Sequence, residues 1–418
     1  MNILSPFFKI DVIPKGVRVL TYITALRWAG WGFAEALLPV FFFSFTQNYA
    51  TTSLLRSAYD VSFILTLPIA GLLADKFRAT SLVMFGLVIY LFIGSGYFLA
   101  GLTGVVLFAI TARFLNGISY SFDILGRDTY TRRVTKKENL ATVFGFVDAF
   151  ANFWWIVAAI VGIFLVKYFS IYTLLFLVTP TSLLALIITW RFSKKEEGVS
   201  NLKEKFKVKT AYMEAFKEFG VWSWNLRLLA VFNFFIAFSS AVVGFFLPIE
   251  AYSQNGNLSQ AMIIGILLVL PTLFGSQLGG WFDKKGISLF PYCFLLFGIL
   301  LAVLAFSNSY LVKLGVAFGV GIVLELLTLG SNELITVCAN PEHFGRVGGV
   351  MRSIYDVGSM TGPLIIGILI DSQGVKLPYL LMATLMMVLS IIFYLTKNKM
   401  LLFFSLTTDR YHHKVHQR

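Results

Sequence analysis

Apolar residues fall along this chain in long blocks separated by short polar stretches, with no period-two alternation. The blocks lie at 18–44, 52–74, 79–101, 104–126, 142–166, 171–192, 226–250, 260–282, 287–307, 311–334, 347–370 and 378–396. A helix needs about 20 apolar residues to cross the hydrocarbon core of a bilayer. The pattern therefore predicts an all-α polytopic membrane protein with about twelve transmembrane helices, and it excludes a β-barrel. The first block is too long for a signal-peptide core and runs directly into a second span, so no cleavable leader is expected. The one substantial interruption is 193–224, which opens with Ser193-Lys-Lys-Glu-Glu-Gly198. Within it Leu202, Phe206, Met213, Phe216 and Gly220 share one side at helical spacing. Lys203, Lys205, Lys207, Lys209 and Lys217 populate the rest, and Trp222 and Trp224 follow at the expected membrane edge. Such a basic amphipathic segment lies on an anionic lipid surface, here as a tether. The expected layout is a six-helix bundle over 1–192, the linker 193–224, a second six-helix bundle over 225–396 and a polar tail over 397–418.

Composition agrees. Of 418 residues 57% are hydrophobic and 13% charged, with a mean hydropathy of +0.79, where a soluble domain carries about a quarter charged residues. The net charge of +13 raises nucleic acid as a partner, but the placement of the charges removes it. With both termini taken as cytoplasmic, 27 of the 34 Lys and Arg fall on that side. The opposite side holds Arg56, Lys167, Lys313 and Lys376, while Arg27, Arg113 and Arg352 lie inside spans. This is the positive-inside asymmetry, and it points to a plasma-membrane protein with cytoplasmic termini. Cys293 and Cys338 make neither a disulfide framework nor a metal site, and His412, His413 and His416 belong to a solvated basic tail; no metal or cofactor is expected.

Two phrases repeat. Gly71-Leu-Leu-Ala-Asp75-Lys76-Phe77-Arg78 follows the second block and Gly279-Gly-Trp-Phe-Asp283-Lys284-Lys285-Gly286 follows the eighth, the two Asp standing 208 positions apart. Lys136-Lys137-Glu138 through Gly145 precedes the fifth block and Pro341-Glu342 through Gly349 the eleventh, with the Glu residues 204 positions apart. Two loops repeating in order at nearly one interval mean two homologous, pseudo-symmetric halves, the layout of a two-lobed carrier. On these residues the chain resembles the major facilitator superfamily over essentially its whole length. The loops are similar to that family's G-x-x-x-D-[RK]-x-G-R signature; the first lacks the glycine between Phe77 and Arg78, and the second keeps Gly286 but not the Arg. Arg113-Phe-Leu-Asn-Gly117 resembles the R-x-x-x-G motif of the fourth span. The fifth-span G-x-x-x-G-P string of drug–proton antiporters is absent at Ala158–Gly162, and a similar string, Gly358-Ser-Met-Thr-Gly362-Pro363, stands in the eleventh span.

Ionisable groups inside the membrane cost at least about 2.5–3.5 kcal/mol each on insertion scales, so they lead the search for function. Glu35, Asp60, Asp148, Glu325 and Asp356 are the carboxylates considered for proton coupling, with Arg27, Arg113 and Arg352 as charge partners. Arg27 and Asp148 stand at matching depth, and Arg352 and Asp356 share a face at i,i+4. Each Arg is either a structural ion-pair member or a group whose distance from a carboxylate changes during a cycle. The resemblance implies that Gly71, Asp75, Lys76, Arg78, Gly279, Asp283 and Lys284 form a cytoplasmic gate, with Asp128 and Glu333 at the inner ends of spans four and ten as partners. It also implies that spans one, four, seven and ten line a central cavity. There Trp28, Trp31, Asn152, Trp155, Asn233 and Asn332 are the substrate-contact residues considered, and such a cavity suits amphipathic or uncharged solutes.

The function expected from the resemblance is secondary active transport of a small solute by a monomer through alternating access, driven by protons, with Na⁺ as the alternative ion. Export is slightly favoured over nutrient uptake. A non-transporting membrane sensor is the reading from another class. No nucleotide-binding loop is present, and no HExxH or GxSxG string supports an enzyme.

Overall fold

The computed structural model describes residues 13–136, 139–193, 220, 222–275, 278, 286–338 and 344–415. The linker at 202–219 and the loop residues Gly279, Asp283 and Lys284 lie outside them, as do the side chains of Asp75, Lys76 and Glu333 and of the tail histidines. The described residues are helical almost throughout: α1 (Lys15–Gly32), a 3₁₀ turn (Glu35–Leu37), α2 (Leu38–Thr46), α3 (Tyr49–Lys76), α4 (Ala79–Thr103), α5 (Val106–Val134), α6 (Leu140–Leu165), α7 (Ile171–Leu175) and α8 (Val178–Ser193). Then come α9 (Trp224–Asn255), α10 (Leu258–Val269) with a 3₁₀ turn at Leu270–Phe274, α11 (Phe290–Phe306), α12 (Tyr310–Cys338), α13 (Phe344–Gln373) and α14 (Lys376–Val415). Allowing for breaks in spans one and six, these are the twelve expected spans, with no strand among the described residues. Eight are long and apolar enough to cross a membrane on those grounds alone. The helices α3 and α5 are 28 and 29 residues long but carry more polar residues, and these are the ones that build the site below.

Local signals set the boundaries. Asn48 caps α3, its side chain accepting the Thr51 N–H at 2.9 Å. Helix α4 ends at Gly104, whose φ of +73° needs a residue without a Cβ. Span one is broken: Ala34 (φ −151°, ψ 4°) interrupts α1, the chain makes one 3₁₀ turn, and α2 restarts with Pro39 in its first turn.

By contacts the chain divides into two compact units, Met1–Ala211 with Pro248–Val269, and Tyr212–Leu247 with Leu270–Arg418. The first unit thus contains the segment 248–269 in addition to the first six spans. There the Ser259 hydroxyl donates to the Ile163 carbonyl at 3.2 Å, and Gly265 passes close to Ala36. Because lipid tails are as apolar as the side chains, helices in a membrane gain stability by close approach and interhelical hydrogen bonds. In the first unit α3, α4 and α5 do this through glycine. A Cβ on Gly86 would lie 2.7 Å from the Ser119 carbonyl, and one on Gly126 would lie 2.8 Å from the Ala79 carbonyl. Ser119 donates to the Gly86 carbonyl at 2.6 Å. Gly117, the glycine of the R-x-x-x-G string, is pressed against the Tyr59 carbonyl and Ser62 of α3.

The second unit is packed around Phe232, Phe290, Phe294 and Phe393, with Phe290 and Phe393 stacked at 4.9 Å. Here the relocated G-x-x-x-G-P string has a plain use. Gly358 and Gly362 of α13 lie directly against the carbonyls of Phe234 and Phe238 of α9, four residues apart on each helix.

Gly117→Leu should force α3 and α5 apart and destabilise the protein by about 1–3 kcal/mol. Leu at Gly145, which has no neighbour within 4 Å, should be tolerated. Unfolding in mixed micelles reads both variants.

Candidate functional site

Helix α5 carries a polar stripe on one face. Arg113, Asn116, Tyr120, Asp123, Arg127 and Thr131 recur at three- and four-residue intervals. From first to last they span about 27 Å at 1.5 Å per residue, nearly the whole hydrocarbon thickness of about 30 Å. Such a stripe must face protein, and it faces α1, α3 and α4. Asp123 is its centre. Arg27 of α1 reaches the Asp123 carboxylate at 2.9 Å, and Arg127, one turn along α5, reaches the same oxygen at 3.2 Å; the side chains of Arg27 and Asp123 are 2% and 1% exposed. Arg27 also donates to the Tyr90 hydroxyl at 2.5 Å, and its guanidinium lies 5.0 and 5.3 Å from the Tyr90 and Tyr120 ring centres. Arg127 donates to the Thr24 hydroxyl at 3.2 Å. Two cations thus share one carboxylate. The Arg27 Nε and Nη2, the Arg127 Nε and the Arg113 Nε are buried without an acceptor. Arg113 lies 4.5 Å over the ring of Tyr59, which stacks on Phe63 at 5.8 Å.

Glu35 sits on the 3₁₀ turn that breaks span one. Its carboxylate accepts the Trp155 indole N–H at 2.6 Å, a contact allowed because Gly32 of α1 lies against the Trp155 carbonyl of α6. Asp60 is held by Arg56 one turn away at 3.1 Å.

In the second unit Arg352 and Asp356 form the expected i,i+4 pair at 3.2 Å, with Arg352 half-exposed. Glu325 packs against Gly275. Asn233 of α9 accepts from the Ser331 hydroxyl of α12 at 2.7 Å and approaches the Met351 sulfur of α13 at 3.8 Å. Asn233 and Ser331 stand 206 and 208 positions after Arg27 and Asp123, the interval of the repeated loops. The span-one-to-span-four tie is therefore ionic in the first half and made by a neutral amide and hydroxyl in the second.

Several sequence-based expectations change. Arg27 pairs with Asp123, not with Asp148, because Asp123 comes in from α5 beside Arg27 while Asp148 is exposed on α6. Arg127 is not a loop residue: α5 runs on to Val134, and Arg127 is buried. Lys313, counted among the outer-edge charges, is 2% exposed. Trp31 is packed edge-on against Tyr90 and Tyr97, and Asn233 is buried in its interhelical network, so both serve packing in this conformation. Trp28 and Asn152 are half-buried and Asn332 is exposed. Around the first loop Asp128 is half-buried, and a Cβ on Gly71 would lie 3.9 Å from Leu125. Arg78 occupies the N-cap of α4, and Arg133 donates to the Ala74 carbonyl at 2.9 Å, a favourable place for a cation at the C-terminus of α3. Asp123, Arg127, Tyr90 and Tyr120 were missed from sequence. The stripe periodicity on α5 was the signal for three of them; Tyr90 had none.

A duplicated twelve-span bundle with charges buried at mid-membrane defines a multi-pass carrier-type membrane protein. The chain belongs to the Major Facilitator Superfamily, whose profile matches residues 20–291 and 229–402, and it is a transporter of that type. It is 23% identical to Multidrug resistance protein 2 of Bacillus subtilis (strain 168) over 376 residues, 87% of this chain and 90% of the relative. An uncharacterised MFS-type transporter of Methanocaldococcus jannaschii is 30% identical over 158 residues, 37% of this chain and 41% of that protein. Among solved structures, a point mutant of the nucleoside transporter NupG superposes with a TM-score of 0.73 at 14% identity, covering 91% of this chain and 98% of the other. A POT family transporter in complex with a thioalcohol-conjugated peptide also gives 0.73, at 13% identity over 94% and 99%. These likenesses show the fold.

Asp123→Asn leaves two buried guanidinium groups on a neutral amide and should cost about 3–5 kcal/mol. Asp60→Asn should cost about 1 kcal/mol, since Arg56 lies near the start of α3 and can extend to the surface. Comparing the two variants by reversible unfolding checks the ranking.

Proposed function

We propose that this transporter is proton-coupled, exports a small amphipathic solute by alternating access, and uses Glu35 to take up and release the proton. The observation that carries the proposal is the partner of Glu35. Asp60, Asp123 and Asp356 are each held by a guanidinium at 2.9–3.2 Å, so protonating any of them breaks an ion pair. Glu35 is held at contact distance by a neutral indole N–H, with Arg27 and Arg113 acting on it only from further away, so protonating it breaks no contact ion pair. It also sits on a 3₁₀ interruption, a common form for a hinge inside a long helix, and ion and substrate sites in carriers are often built at such discontinuities. Export is supported by the name of the Bacillus relative. The positive-inside distribution supports cytoplasmic termini in a plasma membrane, and the family supports a monomer. Asp75 and Asp283, at equivalent places in the two repeated loops, form the cytoplasmic gate.

Proton flux in proteoliposomes exposed to a solute library tests the coupling. Wild type should show a solute-triggered pH change whose sign gives the direction, and Glu35→Gln should lose it while Asp148→Asn keeps it. Full coupling in Glu35→Gln removes Glu35 from the role, and flux that follows Na⁺ but not pH reassigns the ion.

The gate has its own check. Asp75→Asn and Asp283→Asn should each raise labelling, by a membrane-impermeant thiol reagent, of cysteines introduced on the cytoplasmic side; unchanged labelling in both removes the gating role.

A further inference from the structure

We infer that the Arg27–Asp123–Arg127 cluster is an anion subsite, and that the solute carries a single negative charge of carboxylate type on an apolar or aromatic body. This names the substrate class for the carrier proposed above and rests on that reading for its role, although binding is measured without flux. Three observations converge. First, two cations meet one carboxylate at ion-pair distance, among groups that are nearly sealed from solvent, with Glu35 acting on Arg27 only from further away. Second, three guanidinium N–H positions in it, the Arg27 Nε and Nη2 and the Arg127 Nε, are buried with no acceptor. A buried unpaired donor is costly, and several around one excess charge call for an anionic acceptor.

Third, a neutral tie serves at the corresponding place in the second half. The second half makes the equivalent tie between its first and fourth spans with Asn233 and Ser331, and a buried ion pair is rarely more stabilising than a neutral replacement. A charge kept where a neutral pair suffices is available for binding. The guanidinium geometry suits a carboxylate, which can accept two parallel N–H bonds, and the rings of Tyr90 and Tyr120 beside Arg27 suit the apolar body attached to it. In this conformation the helices close over the arginines, so the anion enters when α1 and α5 part.

Thermal unfolding of the purified full-length protein in an uncharged detergent tests this, with benzoate, its neutral isostere benzamide, and chloride as probes. Ionic strength is held by a bulky sulfonate salt. Benzoate should stabilise the protein saturably and benzamide should not. Arg127→Gln leaves a balanced Arg27–Asp123 pair, so it should fold normally yet weaken benzoate binding at least about tenfold, equivalent to about 1.4 kcal/mol. Asp123→Asn, destabilised alone, should recover more stability from benzoate than wild type does. Chloride acting as strongly as benzoate keeps the anion site but makes an inorganic ion its occupant, overturning the substrate assignment. Equal effects of benzoate and benzamide, no effect of any anion, or a benzoate shift that survives Arg127→Gln overturns the site itself. Loss of coupling in Glu35→Gln alongside any of these results leaves the carrier reading intact. Anion binding with no solute-triggered proton flux does the reverse.

Discussion

The meeting of Arg27 with Asp123 is the constraint around which the first bundle is organised. Insertion scales put an arginine at the centre of a membrane helix at about 2.5–3.5 kcal/mol, so α1 can carry Arg27 only where a carboxylate and aromatic faces receive it. Asp123 fixes the rotation of α5. Tyr90 fixes the rotation of α4, and Tyr120 closes the other side of the guanidinium. Once α5 is turned that way, the rest of its stripe faces inward with it. Arg113 meets Tyr59, and Gly117 comes against the backbone of α3. The glycine contacts are therefore placed by the charge as much as by small-residue packing: they bring α3 and α4 close enough for the tyrosines to reach.

Much of this was legible in the sequence and some was not, for identifiable reasons. The spans could be read because their signal is summed over some twenty residues, and the duplication because polar loops stand out against an apolar background. The Arg352–Asp356 pair was readable because it is local. The partner of Arg27 was not, because Asp123 is 96 positions away and depth along a helix does not specify rotation about it. Asp148 had the right depth and the wrong face. The span-four estimate stops at residue 126 because the apolar run ends there, whereas the helix continues for two more turns with Arg127 and Thr131 buried and Tyr130 packed against apolar neighbours. The break at Ala34 left only faint marks, Gly30, Gly32 and Pro39, since a single 3₁₀ turn barely disturbs hydropathy.

Both halves pack through glycine, though at different pairs of spans, and they differ in the chemistry of one tie. Both use glycine against a neighbouring backbone, Gly117 on Tyr59 in one and Gly358 and Gly362 on Phe234 and Phe238 in the other. This is why the G-x-x-x-G-P string can be read as a packing device in span eleven without any antiport implication. At the tie between the first and fourth spans of each half, however, the same two positions hold Arg and Asp in one half and Asn and Ser in the other. Internal duplication thus supplies a comparison inside one molecule, and at this tie it sets a charged solution beside a neutral one.

That comparison also separates the carboxylates by role. Asp123 is shared between two arginines, and removing its charge would leave both cations uncompensated in a low-dielectric interior. Asp60 and Asp356 are each paired with a single arginine one turn away. Glu35 alone among the four is held by a neutral donor, on a turn where helix hydrogen bonding is already interrupted. A group that must change charge during a cycle works best where the change disrupts least. A group that must keep its charge works best inside a network that resists change. The first bundle holds both kinds of carboxylate: Glu35 on the break in span one, bonded to a neutral donor, and Asp123 on α5, shared between two arginines. Glu35 lies just beyond the end of α1, across the break from Arg27, so the two sites share span one without sharing one continuous helix.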